Sequence, residues 1–193
     1  RSLHIEEDTR RVYPYGTLGC HLLGFTGVDG NGLEGLEARY DALLSGKDGS
    51  VSRLAAGDGM RMLLQTYENA DPGTDGCDLT LTMDINIQSV VEKYLDQAIA
   101  DYAVENGGCC IAMNVKTGGI LAMASRTAFD PNDYLTVSDE AQARIAALED
   151  GQARKEALTE ARLAQWRNRA ISDTYEPGSV FKIVTLAMGL ESG

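Results

Sequence analysis

The spacing of hydrophobic positions changes along the chain, and the change divides it. Residues 1–78 carry only short apolar runs, such as Cys20-His21-Leu22-Leu23-Gly24-Phe25, set among glycines and turn formers. That pattern predicts short strands and one brief helix over 33–44, stopped by Gly46. Asn69-Ala70-Asp71-Pro72-Gly73-Thr74-Asp75-Gly76 meets every turn criterion and reads as a loop. It marks the best boundary between a module at 1–78 and a second at 79–193.

Beyond the boundary, Leu79 and Leu81 alternate with Thr80 and Thr82, which predicts a strand over 78–83. From 84 to 106 the period becomes helical: Ile87, Val90, Val91, Tyr94, Leu95, Ala98, Ile99 and Tyr102 recur at three and four, and Gly107 supplies a stop. Apolar runs at 109–115 and 120–124, separated by Lys116-Thr117-Gly118-Gly119, predict a hairpin. Phe129-Asp130-Pro131-Asn132 predicts a turn. Residues 138–166 read as helical with a break at Gly151. Residues 179–190 form a short, almost wholly apolar helix introduced by Glu176-Pro177-Gly178. Together these elements imply an α+β protein.

A length of 193 residues allows one comfortable domain or two small ones. The formal charge of −12 argues against nucleic acid and against anionic lipid headgroups as partners. No stretch approaches the roughly 18 apolar residues of a membrane helix, and no signal peptide is visible. The chain begins with Arg1, so a natural N-terminus is expected to lie upstream. The four cysteines, Cys20, Cys77, Cys109 and Cys110, show no CxxC spacing, and His4 and His21 are the only histidines. A structural metal is not expected, and neither is any cofactor. Cys109 and Cys110 would face opposite sides of a strand, and the thiols read as buried or half-buried.

The segment that carries chemistry is Tyr175-Glu176-Pro177-Gly178-Ser179-Val180-Phe181-Lys182. Residues three apart share a helix face, so the Ser179 hydroxyl and the Lys182 amine can meet. A serine needs a base to become a nucleophile, and a lysine acts as one only where burial or a neighbouring cation lowers its pKa. Val180, Phe181, Ile183 and Val184 supply an apolar setting, and the free amides of the first turn can stabilise an oxyanion. Ser-x-x-Lys alone arises about once by chance in a chain this long, as an exposed serine beside a snorkelling lysine. This match is unique in the chain and opens a helix too apolar for a surface element.

From Trp166-Arg167-Asn168-Arg169-Ala170-Ile171-Ser172-Asp173-Thr174-Tyr175 through to Lys182, the sequence resembles the nucleophile region of class B penicillin-binding proteins, nearest the division and sporulation type. Gly32-Leu33-Glu34-Gly35-Leu36-Glu37-Ala38-Arg39-Tyr40-Asp41 resembles that family's pedestal, or dimerisation, signature. Leu79 to Gln88 resembles the entry into its transpeptidase domain, and Ala112 to Ala124 the domain's first hairpin. The resemblance implies a β-rich pedestal at 1–78 and, at 79–193, the incomplete N-terminal part of a transpeptidase domain with helices on an antiparallel sheet.

It also implies a function: Ser179 attacks the D-Ala-D-Ala bond of a peptidoglycan stem peptide, or a β-lactam ring, with Lys182 as general base. Other cell-wall synthesis proteins would be partners, and the parent would sit on the outer face of the bacterial membrane behind an N-terminal anchor absent here. The family's Ser-x-Asn and Lys-Thr/Ser-Gly motifs should follow the nucleophile, but only eleven residues follow Lys182. The apolar 179–190 helix is therefore expected to lack its cover. Residues 79–193 should then depend on a second polypeptide or another copy, and this chain alone should be inactive.

Three look-alikes are set aside. Lys116-Thr117-Gly118 matches the family's third motif by letters but precedes Ser179 and sits in a turn. Gly30-Asn31-Gly32-Leu33-Glu34-Gly35 fits a dinucleotide fingerprint, yet Ala55-Ala56-Gly57-Asp58-Gly59 reads as a turn where a strand ending in an acid is needed. Asp29-Gly30-Asn31 opens like a calcium loop, but Leu33 and Glu34 occupy a ligand and the turn-glycine position. A β-lactam sensor or serine β-lactamase shares Ser-x-x-Lys, though the pedestal signature and Leu79-to-Gln88 favour neither. A non-catalytic interaction module is the alternative for this chain alone.

Overall fold

The computed structural model describes residues 10–47, 49–53 and 68–193; His4 and the Ala55–Gly59 turn lie outside the described residues. From Asp84 onward the hydrophobic period translates almost directly into structure. The Asp84 carboxylate accepts from the amides of Asn86 (2.8 Å) and Ile87 (3.1 Å), satisfying two free donors of the long helix. Among the described residues the helices in chain order are α1 (Cys20–Leu23), α2 (Gly35–Arg39), α3 (Asp41–Leu44), α4 (Ile85–Asp101), α5 (Asp139–Ala146), α6 (Gly151–Trp166), α7 (Arg169–Ser172) and α8 (Lys182–Ser192). The strands are β1 (Ser50–Arg53), β2 (Glu68–Asp71), β3 (Cys109–Met113) and β4 (Ile120–Ser125).

Helix α4 ends before the expected residue 106. Ala103 adopts a left-handed φ of 48°, and Val104 N–H bonds the Ile99 carbonyl at 3.0 Å, closing the helix in a Schellman-like turn. Strands β3 and β4 form the expected antiparallel hairpin, with Ile111 opposite Met123 and a register shift between Ala112 and Met113. Asn114 organises its turn: the carbonyl accepts from Gly118 N–H (2.8 Å) and the side chain from Lys116 N–H (2.9 Å). The expected strand at 78–83 does not form. Among the described residues the hydrogen bonds that join it to the hairpin are those of Thr82 Oγ1, which donates to Ile120 O (2.7 Å), and of the following Asp84 N–H, which donates to Leu121 O (2.9 Å).

The N-terminal part departs further from the sequence reading. Cys20–Leu23 is one helical turn rather than a strand, bracketed by Gly19 (φ 67°) and Gly24 (φ 77°). The helix expected over 33–44 breaks at Tyr40 into α2 and α3. Part of the expected loop 69–76 is strand, because β2 pairs antiparallel with β1 up to Asp71, before Pro72. Over 138–166 the break falls at 147–150: Ser138 caps α5, Asp150 caps α6, and Gly151 is the first residue of α6. The α+β class with antiparallel strand pairs is the one observed. Of the cysteines only Cys20 is buried; Cys77, Cys109 and Cys110 are exposed.

An aromatic core ties the two halves together. Phe25, fully buried, stacks on Tyr134 at 4.2 Å between centroids and meets Phe129 edge-on at 5.7 Å and Trp166 at 5.0 Å. Burying one such side chain contributes about 1.5–3 kcal/mol, and each well-set aromatic pair adds about 0.5–1.5 kcal/mol. Phe25 precedes the 69–76 segment and its three partners follow it, so this core is built from both sides of that segment.

Candidate functional site

Pro177 and Gly178 deliver the chain into a 3₁₀ turn, Gly178–Phe181, before α8 begins. Gly178 takes φ 52°, a conformation that strains any residue with a Cβ. The Lys182 N–H bonds the Ser179 carbonyl, an i→i+3 link. The sequence predicted an α-helix from Ser179, whereas the first turn is the tighter 3₁₀ form. In that form side chains at i and i+3 eclipse, so Ser179 and Lys182 stand on the same face of the turn. Nothing among the described residues covers them: every residue from Gly178 to Gly193 is exposed, Ile183 at 73% and Leu186 at 65%. Neither the Ser179 hydroxyl nor the Lys182 amine hydrogen-bonds another group among the described residues.

The described residues also hold a buried polar network that sequence reasoning missed. The face that α4 turns to β4 carries Gln88 and Glu92, both buried, while Val90, Tyr94 and Tyr102, expected on an apolar face, are exposed. Gln88 clasps the backbone of Met123, accepting its N–H at 2.8 Å and donating to its carbonyl at 3.0 Å. It thereby gives this strand residue the pairing of a neighbouring strand. Gln88 also donates to Glu92 Oε1 (2.7 Å), which accepts the Gly19 N–H as well (2.8 Å). Arg126, directly after β4, pairs with Glu92 at 3.2 Å and donates to Asp96 at 2.7 Å. The signal in the sequence is an i, i+4, i+8 row of Gln88, Glu92 and Asp96 beside the apolar residues of α4.

His21 extends the network. Its Nε2 lies 2.9 Å from the Gln165 carbonyl, which can only accept, so that nitrogen carries the proton. Nδ1 is then the acceptor, 3.3 Å from the Cys20 sulfur. The buried Asn168 side chain donates to the His21 carbonyl (3.3 Å) and accepts the Ala170 N–H (3.1 Å), capping α7. Burial pushes the His21 imidazole below its ordinary 6.5 and raises the Cys20 thiol to about 11. Both groups are neutral at pH 7.

Two family models match the chain. Residues 1–81 match the penicillin-binding protein dimerisation domain, and residues 108–193, which include Ser179 and Lys182, match the penicillin binding protein transpeptidase domain. The chain belongs to the penicillin-binding proteins. It is 39% identical to stage V sporulation protein D of Bacillus subtilis over 99% of its own length and 26% of that protein's. It is 30% identical to peptidoglycan D,D-transpeptidase FtsI of Escherichia coli over 99% of its length and 28% of that protein's. The structure of penicillin-binding protein 3 from Mycobacterium tuberculosis, complexed with aztreonam, superposes with a TM-score of 0.62 at 30% identity, covering 91% of this chain and 30% of that one. The chain thus spans about a quarter of the length of these curated relatives.

Within this penicillin-binding protein chain the look-alikes resolve structurally. Lys116-Thr117-Gly118 lies exposed in the β3–β4 turn. The helix after the Gly30–Gly35 run is five residues long, and no parallel strand pair occurs among the described residues. Gly35 of that run serves a backbone crossing with Gly24 instead: a Cβ on Gly24 would stand 1.8 Å from the Glu34 carbonyl oxygen, and one on Gly35 2.5 Å from Gly24 N. A phosphate cradle needs the same freedom from side chains for a different purpose, which is why the letters alone mislead.

Proposed function

We propose that the protein carrying this chain is a serine-type peptidoglycan D,D-transpeptidase, with a pedestal at 1–78 and the start of its transpeptidase domain at 79–193. The observation that carries the reading is the eclipsed Ser179–Lys182 pair at the head of an apolar helix, within the stretch that matches the transpeptidase domain. Lys182, as general base, takes the Ser179 proton as Oγ attacks the carbonyl carbon of D-Ala-D-Ala. The C–N bond breaks, and the departing D-Ala nitrogen receives a proton. An amine of a neighbouring stem peptide then attacks the ester, forms the cross-link and frees Ser179. A β-lactam acylates the same oxygen, but its leaving nitrogen stays tethered.

The substrate lies outside the cell membrane, so the protein works on that face, held by a membrane anchor and in company with other wall-synthesis proteins. No helix among the described residues is long and apolar enough to cross a membrane. In the full-length protein, Ser179→Ala abolishes covalent labelling by a fluorescent penicillin; labelling of unchanged stoichiometry overturns the assignment. Ser179 and Lys182, exposed and without a side-chain hydrogen bond among the described residues, favour a second reading for the 193-residue chain taken alone, that of a non-catalytic module. That chain labels little or not at all.

A further inference from the structure

We propose that His21 and Asn168 are positioning residues for the Ser179 nucleophile, so that the N-terminal segment holds the nucleophile strap in register. This rests on the reading of Ser179 given above. The segment from Gln165 to Lys182 is gripped at one end and free at the other. At the gripped end the His21 ring donates to Gln165 O at 2.9 Å, and Asn168 Nδ2 donates to the His21 carbonyl at 3.3 Å. One residue of the N-terminal segment therefore holds the strap on both sides of Trp166, whose ring belongs to the aromatic core.

The grip is itself fixed. Gly19, two residues before His21, is tied to Glu92 of α4 through its N–H (2.8 Å), and Glu92 is held by Gln88 and Arg126. The His21 ring meets Phe129 edge-on at 5.2 Å. Next to Asn168, Arg169 anchors the strap twice more: its N–H donates to Ser125 Oγ (3.3 Å) and its guanidinium to the Asn106 carbonyl. Within the strap, Arg167 pairs with Asp173 at 2.5 Å and donates to Ser172 O at 2.9 Å. From Thr174 to Lys182 the side chains make no hydrogen bond among the described residues. The side-chain bonds of Asn168, Arg169 and the Arg167–Asp173 pair, on and beside α7, are thus the last ones before Ser179 among the described residues.

Neither residue touches Ser179, so both act by placing the strap. The role of His21 here is geometric: one ring N–H and one carbonyl, both on the same residue. Misplacing a reacting atom by about 1 Å costs on the order of 100-fold in rate.

The test uses the full-length protein. His21→Phe keeps the edge contact with Phe129 and removes the donor to Gln165. Saturation kinetics of acylation by a fluorescent penicillin, normalised to titrated active sites, separate binding from the acylation step. The expected result is an acylation rate reduced by about 10- to 100-fold with binding little changed, and faster hydrogen exchange at 169–182. His21→Gln, whose amide nitrogen reaches the same carbonyl, restores most of the rate. A purely structural residue would lower the melting temperature and the number of active sites but leave the normalised rate alone, and that outcome overturns the proposal. Should His21→Phe not fold, Asn168→Asp keeps the cap on Ala170, removes the donor to His21 and must show the same two effects. If wild-type protein is not acylated at Ser179, the reading of the site fails by itself, and unchanged exchange at 169–182 in the variants overturns the positioning role separately.

Discussion

Replacing Glu92 with alanine probes the centre of the buried network. One carboxylate satisfies three groups: the Gly19 N–H at 2.8 Å, the Gln88 amide at 2.7 Å and the Arg126 guanidinium at 3.2 Å. Gln88 keeps its bonds to Met123, so its loss is small. The Gly19 N–H is buried, and stranding it costs about 1–3 kcal/mol. The Arg126 side chain is only 9% exposed and keeps Asp96, itself more than half exposed, as its remaining partner. Removing one member of a buried pair typically costs about 3–5 kcal/mol because the other charge stays buried. The two contributions overlap, so Glu92→Ala should cost about 3–5 kcal/mol in all, a large part of the roughly 5–15 kcal/mol a domain possesses. Urea unfolding followed by fluorescence reads this directly, because Trp166 is the only tryptophan and sits in the aromatic core. In an Arg126→Met background the same Glu92→Ala change should cost only the Gly19 share, about 1–3 kcal/mol. A loss below about 1 kcal/mol in the wild-type background, or equal losses in both backgrounds, would refute the reasoning.

Stability should also fall at both ends of the pH range. His21 binds its proton more weakly folded than unfolded, so stability is full above its ordinary 6.5 and declines below it by up to about 1.4 kcal/mol per pH unit. Cys20 holds its proton more tightly when folded, so its contribution is full below its ordinary 9.0 and disappears as pH climbs towards 11, about 2–3 kcal/mol in total. Urea midpoints between pH 5 and 10.5 check both, and a His21→Phe or Cys20→Ala protein with an unchanged profile contradicts the corresponding assignment. Separately, Val180, Phe181, Ile183, Leu186, Met188 and Leu190 are all more than half exposed, so the 193-residue chain should bind a hydrophobic dye or self-associate in light scattering. A dye-silent monodisperse monomer would show that the chain buries α8 by itself.

Sequence reading went furthest where one local signal decides one element. The helix starts expected at 84 and 138 hold, because Asp84 and Ser138 cap the helices that follow them and a cap is a contact between neighbours in sequence. The hairpin was legible for the same reason, its turn being organised by Asn114 within five residues. The reading failed where distant partners decide. Cys20–Leu23 has the composition of a strand but no strand beside it; its neighbours are Glu92, Phe129 and Gln165, each more than seventy residues away. The Thr-Leu alternation at 78–83 likewise gains two hydrogen bonds to the hairpin and no ladder.

The site divides along the same line. Ser179 and Lys182 are three residues apart, so the turn that brings them onto one face is a local matter and the motif exposes it. What orients that turn is non-local and polar: His21, Glu92, Arg126 and Asn168 come from four separate stretches, and each alone looks like an ordinary surface residue. Composition cannot flag them, because polar residues are buried only where every donor and acceptor finds a partner, and those partners are set by the fold. Apolar periodicity places α4 but tells only part of its packing: Ile87, Val91, Leu95 and Ile99 are half-buried, Val90 and Tyr94 face outward, and the fully buried positions are Gln88 and Glu92. A helix can turn two polar side chains inward where buried groups need their hydrogen bonds. Here those groups are the Met123 peptide of β4 and the Gly19 amide of the N-terminal segment, so the network that fixes α4 also fixes the strap leading to Ser179.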